Sequence, residues 1–208
     1  MRVAMDLADA GGIESLSMRK LAAKLGIEAM SLYYHVKSKD DILDGMLDAV
    51  YAEFATPSAG EEWRAAMRER AESTRNVLAR HPWAISMART SPGAATLGHL
   101  DAVIGCLRAA GFSMPMVGHA MSVLDSYVHG FAQQEASLPL DPTGSIEATT
   151  EDIMAQQESM QDSFPQLADM AVSLILKPGY AYGNEFEFGL QLILDGIAAA
   201  NSAESAGA

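Results

Sequence analysis

Only one cysteine, Cys106, occurs in 208 residues. That excludes an intramolecular disulfide framework and suits a reducing cytoplasm, the compartment expected here. No apolar run approaches the roughly 18 residues that a membrane-crossing helix needs. Asp6 and Asp9 interrupt the residues after Arg2, so the start does not read as a secretory leader. Strand-like alternation bounded by turns is missing, which excludes an ordinary sheet. There is no Gly-x-Gly-x-x-Gly, no phosphate-cradling loop, no Gly-x-Ser-x-Gly elbow and no His-Glu-x-x-His, so the common signatures of enzymes and cofactor sites are absent. Positive charge is also scarce. Lys and Arg total 14 against 27 Asp and Glu, for a formal net charge of −13. Over the whole chain that balance argues against nucleic acid as a partner, because its binders neutralise phosphates with basic groups.

What is present is an ordinary globular balance of 49% hydrophobic and 20% charged residues. A chain of this length buries roughly 70% of the surface its unfolded form exposes, so it needs neither metal nor disulfide to hold a core. The charge is unevenly placed. Residues 1–39 carry six basic groups against four acids, whereas residues 90–208 carry only Arg108 and Lys177 against 14 acids. The asymmetry assigns two tasks to the chain, and only the first segment suits a polyanion.

The periodic segments read as helices over about 2–10, 18–25, 28–35, 39–55, 61–80, 83–90, 94–110, 114–135, 147–163, 166–176 and 184–200, with an irregular stretch at 136–146. Gly11-Gly12 is expected to end the first helix in a left-handed cap, and Pro82, Pro92, Pro139, Pro142 and Pro178 punctuate later ones. The fold class is all-α. The expected organisation is a three-helix helix-turn-helix domain over 1–54, joined by a long helix to a helical bundle over 55–200, with a fraying tail at 201–208.

The run Ser17 to His35 carries most of the information. Ser17 can cap a short helix whose Leu21, Ala22 and Leu25 share a face. Gly26 permits a sharp turn, Ile27 anchors it, and a second short helix follows, which is the plan whose second helix enters a major groove. Ala29, Met30 and Ser31 open that helix with small or flexible side chains suited to base edges. Leu32 faces inward. Tyr33, Tyr34, His35, Lys37 and Lys39 place donors and cations where phosphates would pass, and Met18 and Arg19 start the preceding helix at its crossing of the backbone. Ser38 with Asp41 resembles a capping box opening an amphipathic helix with Ile42, Leu43, Met46, Leu47, Val50, Tyr51 and Phe54.

These residues closely resemble the DNA-binding domain of the tetracycline-repressor (TetR) family: Leu16 to Gly26, Met30 to Lys39 and Ile42-Leu43-Asp44. Phe186 to Gly196 is similar to the last helix of that family's C-terminal domain. The resemblance implies a homodimeric transcription factor, usually a repressor, that leaves a near-palindromic operator when a small molecule binds its C-terminal domain. It implies DNA contact by Met18, Arg19, Ala29, Met30, Ser31, Tyr33, Tyr34, His35 and Lys39. It also implies that helices near 114–135 and 184–200 pair with their copies, which Gly189, Gly196 and the alanines at 198–200 allow by permitting close approach. By the resemblance the chain starts inside the family's first helix. The family's metal-binding histidine falls at Met87, and its drug-contacting Asn and Phe fall near Arg70 and Thr74. A thioether is a poor ligand for Mg²⁺, so a tetracycline–magnesium inducer is not expected, nor any cofactor.

In the body, Leu97, Leu100, Val103, Ile104 and Leu107 form one expected apolar face, and Val117, Met121, Leu124, Val128 and Phe131 another. Trp63, Met67, Arg70, Thr74, Trp83, Met87, His99 and Met121 are the candidates for lining a site for a small, mostly apolar effector, against the plainer reading that they are core. Asp125 and His129, at i and i+4, raise the rival of a small helical metalloenzyme; the plainer reading is a helical hydrogen-bonded pair. Cys106 reads as core. A helical small-molecule binder without DNA binding is the other rival, and its motive is the net charge.

Overall fold

The computed structural model describes residues 1–58, 60–87, 91–138, 163–177 and 179–207. Among them the regular structure is helical, with no strand. In chain order the helices are α1 (Arg2–Gly11), α2 (Met18–Leu25), α3 (Ala29–Leu32), α4 (Lys39–Tyr51), α5 (Trp63–Arg80), α6 (Ala94–Ala109), α7 (Met114–Ser137), α8 (Pro165–Met170) and α9 (Asn184–Gly207). Short 3-10 turns at Ile13–Ser15 and Pro82–Ala84 and a π turn at Ala171–Ile175 join them.

Two compact units are present, Met1–Gln133 with Ile193–Ala208, and Gln134–Leu192. The first has a core that starts in the amino-terminal helices and runs into the body: Ala4 and Ala8 of α1, Leu21 and Ala22 of α2, Leu32 of α3, and Met46 and Val50 of α4 are continuous with Val77 and Leu78 of α5, with Trp83, and with Ala132 of α7. In the second, Ala168, Phe186 and Leu190 are buried, and the Tyr182 hydroxyl donates to Gln134 Oε1 at 2.8 Å.

Local chemistry explains the ends of the first helices. The Ser17 hydroxyl accepts the Lys20 amide at 3.2 Å and starts α2. Gly26 ends it with φ 71° and ψ 28°, a conformation that costs glycine little. Its amide bonds to Ala23 O, and the Ile27 amide bonds to Ala22 O at 3.0 Å, the paired closure of a left-handed helix end. Ser38 caps α4 through the Asp41 amide at 3.1 Å. The Asp41 carboxylate reaches back to the Lys37 amide at 2.8 Å, one residue short of the Ser38 amide that a capping box would use.

Several expectations need correction. The second reading helix is a single turn, Ala29–Leu32, followed by turns through His35. The helix expected at 39–55 stops at Tyr51 and that at 61–80 starts at Trp63. At 83–90 the described residues form a 3-10 turn started by Pro82. The 166–176 segment begins as α8 with Pro165 in its first turn and loosens into the π turn. α7 runs on to Ser137, into the stretch expected to be irregular, and the tail expected to fray continues α9 to Gly207. Gly12 takes a positive φ of 72° but with ψ 166°, so α1 ends without a left-handed helical cap. Leu25 and Ile27 are more than two-fifths exposed because they border an open apolar groove of about 520 Å³ between α1, α2, α3 and the start of α4. Leu97 is also exposed, leaving Val103 and Leu107 as the deeply buried members of the apolar face expected on α6. The expected helix at 147–163 lies almost wholly outside the described residues, as does the rest of the irregular stretch from 139.

Candidate nucleic-acid interface and buried polar core

α3 is short, and its side chains divide cleanly. Leu32 is 7% exposed and pins the turn to the core, whereas Met30 is 72%, Tyr33 47% and Tyr34 88% exposed. Ala29 and Ser31 are half-buried, and His35 is exposed. On α2, Met18 is half-buried against the core and Arg19 is exposed; Lys39 is exposed at the start of α4. Met18, Arg19, Ala29, Met30, Ser31 and Lys39 therefore fall at three successive helix starts, placed by the Ser17 cap, the Gly26 turn and the Ser38 cap, whereas Tyr33, Tyr34 and His35 lie in the turns just after α3. Helix starts also present backbone amides and positive dipole ends, both suited to phosphate.

The body candidates separate into groups. Trp63 packs edge-on against Phe112, with ring centroids 5.0 Å apart, and beneath the Arg64 guanidinium. Trp83 is buried, and its Nε1–H donates to Asp9 Oδ1 of α1 at 2.6 Å. The same oxygen takes His81 Nδ1 at 2.8 Å, and Glu53 Oε2 accepts from Arg80 at 2.6 Å. Met87 packs with Tyr51, Phe54, Ile85 and His129 around a cavity of about 120 Å³ beneath α4. Trp83 and Met87 therefore line the contact between the amino-terminal helices and the body, whereas Trp63 packs within the body.

Arg70, Thr74 and His99 form a different cluster, with Met67 on the same face of α5. Arg70 is 5% exposed; its Nε–H donates to His99 Nε2 at 3.1 Å and its NH2 to Asp125 Oδ1 at 2.5 Å. A guanidinium only donates, so His99 Nε2 must accept. The imidazole is then neutral with its proton on Nδ1, which donates to Thr56 Oγ1 at 3.2 Å; that hydroxyl donates to Phe54 O at 3.4 Å. Burial, and secondarily the Arg70 charge, push the His99 pKa down to about 4 against the opposing pull of Asp125. Tyr51 and Phe54 close over the imidazole edge-on, at centroid distances of 6.0 and 5.6 Å. Met121 is half-buried one turn before Asp125 on α7. Thr74 Oγ1 and Thr96 Oγ1 are buried with no hydrogen-bond partner among the described residues.

Asp125 and His129 are hydrogen-bonded within α7, but through the backbone carbonyl of Asp125 rather than its carboxylate. The Asp125 carboxylate turns to Arg70, and His129 Nδ1 bonds the Asp125 backbone carbonyl at 2.9 Å. Among the described residues no group of three His, Cys, Asp or Glu is placed to hold a metal. Cys106 is buried, and burial raises its thiol pKa, with Glu61 and Glu62 adding to the effect. No described helix is long and apolar enough to cross a membrane.

Sequence reasoning missed one functional pair. Asp48 of α4 accepts the Thr96 amide at 2.8 Å and the Ala95 amide at 3.3 Å, so it caps the start of α6 from another helix. Asp44, one turn earlier, accepts the Ser91 amide at 3.0 Å. The available signal was negative: α6 begins at Gly93-Ala94 with no side-chain cap of its own. A Cβ on Gly93 would overlap the Asp48 carboxylate.

The family model described as bacterial regulatory proteins, tetR family, matches residues 1–46, and that described as tetracyclin repressor-like, C-terminal domain, matches residues 56–201. The HTH-type transcriptional repressor DrrR1 of Streptomyces coeruleorubidus is 32% identical over 95% of this chain and 75% of its own. An HTH-type transcriptional regulator of Saccharopolyspora erythraea is 36% identical over 94% and 81% respectively. Among solved structures, the Streptomyces coelicolor TetR family protein ActR in complex with (S)-DNPA superposes with a TM-score of 0.76 at 25% identity, covering 96% of this chain and 95% of that one. ActR in complex with actinorhodin gives 0.75 at 25% identity, covering 96% of each. The chain belongs to the TetR family of bacterial transcriptional regulators, DNA-binding proteins with a ligand-binding C-terminal domain.

Proposed function

We propose that the chain is a cytoplasmic homodimeric repressor whose residues 1–54 grip a near-palindromic operator and whose residues 55–200 bind a small molecule that releases it. The observation that carries the reading is α3: a one-turn helix pinned by buried Leu32 and surrounded by exposed Met30, Tyr33 and Tyr34. Ordinary packing has no use for three large exposed side chains on and just after so short an element, whereas a groove reader does. In this reading Ala29, Met30 and Ser31 read bases. Met18, Arg19, Tyr33, Tyr34, His35 and Lys39 hold the backbone. A pair of heads on a dimer would meet two half-sites about one helical turn apart. α7 and α9 are the proposed dimer helices; Val123 on the first and Phe188 and Leu192 on the second carry exposed apolar side chains. Regulation, not catalysis, is the activity that family membership supports.

Release follows as a population shift. A ligand changes the operator-binding fraction only by its differential affinity for two arrangements of the heads. The cap from Asp48 to α6 and the chain from Arg70 through His99 to Thr56 and Phe54 give the body two direct holds on α4 and its end. The cavity beneath α4 gives that helix room to shift.

Gel shifts on the DNA flanking its own gene test the reading. Tyr33→Phe is expected to weaken binding on all sequences alike, and Met30→Ala or Ser31→Ala to change base preference. Unchanged binding by all three variants would remove the assigned roles.

A further inference from the structure

We propose that the effector is an organic anion, an apolar body bearing a carboxylate, and that Arg70 receives its charge in place of Asp125. The inference rests on the sensing role of the body and adds the chemical class of what is sensed; it replaces the mostly apolar effector that composition suggested.

Arg70 is the first ground. A guanidinium stays protonated at any physiological pH, so its burial carries a desolvation cost that only a good anionic partner offsets. Its partners are one carboxylate and one neutral imidazole nitrogen. The carboxylate is poorly committed: the Asp125 side chain is 37% exposed, against 6% for Arg70. An apolar side chain of similar volume would serve folding as well or better, so the buried cation calls for a use beyond folding. Asp125 is already more than a third exposed and can leave at modest cost. What it vacates is a charge-assisted N–H of the Arg70 guanidinium, a donor suited to a carboxylate oxygen.

The orphaned hydroxyls are the second ground, independent of charge. Thr74 lies one helical turn beyond Arg70 on α5, is 2% exposed, and its Oγ1 has no partner among the described residues. Thr96 Oγ1, one turn before His99 on α6, is in the same condition. Buried polar groups in folded chains are nearly always paired, and an unpaired one in a sensing domain points to a missing polar partner. Residues one turn apart on a helix face have Cβ atoms about 5–6 Å from each other, so Thr74 is a neighbour of Arg70 on α5. Met67 on α5 and Met121 on α7, each about a turn from the charged pair, are adaptable surfaces for the apolar remainder.

The same exchange has a route to the DNA-binding end. Arg70 holds His99 as an acceptor, and His99 in turn holds Thr56 and through it the carbonyl of Phe54, just beyond α4. An anion that draws Arg70 aside loosens that hold.

Titration calorimetry on the full chain with 6-hydroxy-2-naphthoate and with its uncharged primary amide tests the proposal. The acid is expected to bind at least tenfold more tightly than the amide, and Arg70→Met to abolish the preference. Because Arg70→Met leaves Asp125 and His99 without their donor and can fail to fold, Asp125→Asn is the second variant. It keeps the cation and removes its competitor, so the acid should bind it more tightly and raise its melting temperature more than that of the unaltered protein. Equal binding of acid and amide, or binding of neither, overturns the proposal. Operator release is scored separately. An acid that binds through Arg70 but leaves the operator bound contradicts the regulator reading and upholds the anion site. Release by the neutral amide alone upholds the regulator and removes the anion.

Discussion

The Asp48 carboxylate of α4 accepts the Thr96 amide at 2.8 Å, so the helix that follows α3 also closes the start of the first long helix after Trp83. Free amides at a helix start need an acceptor, and a charged one there contributes about 1–2 kcal/mol. Asp48→Ala should therefore lower unfolding stability by about that amount, read as a shift in urea midpoint at constant slope. Gly93→Ala probes the contact from the other side. Its Cβ would displace the Asp48 carboxylate, and a comparable loss is expected.

His99 predicts a pH response. Its folded pKa is about 4, below the ordinary 6.5, so the unfolded chain binds the proton more readily. Its contribution is complete above pH 6.5, declines as pH falls from there towards 4, and changes no further below that. The loss sums to about 3–4 kcal/mol at about 1.4 kcal/mol per unit. Melting temperatures from pH 7 to 4.5 should fall more steeply for the unaltered protein than for His99→Asn. Parallel curves would show that His99 is not the group responsible.

Asp9 predicts a second structural loss. It accepts from Trp83 Nε1 and His81 Nδ1, both on buried side chains of the body, so Asp9→Ala leaves two donors without their acceptor. The expected cost is about 2–3 kcal/mol, and the Trp83 indole should show an altered emission maximum. A variant as stable as its parent would mean that other groups take up both donors.

Much of the amino-terminal fold was legible because its determinants are local. Ser17, Gly26 and Ser38 act on amides within four residues, and Leu32 needed only its register. Leu25 and Ile27 misled because apolar character does not reveal whether a groove is filled. The cap on α6 was hidden because its acceptor lies 48 residues upstream, on another helix. The family resemblance points to Arg70, but nothing in α5 alone shows that its carboxylate stands 55 residues away at Asp125. The Trp83 indole likewise gave no sign that it serves α1. Local chemistry was readable in one dimension, and buried polar partnerships were not.

The central claim, that an acidic chain presents a DNA-reading face at its amino end, meets its most direct test in the salt dependence of operator affinity. Arg19 and Lys39 on two heads, with Lys37 nearby, predict a linear fall of log K with log salt. The weakening should be about a hundredfold or more between 50 and 200 mM, with a shallower slope for Lys39→Gln. An affinity that is flat across that range, or no sequence-specific binding at low salt, would contradict it.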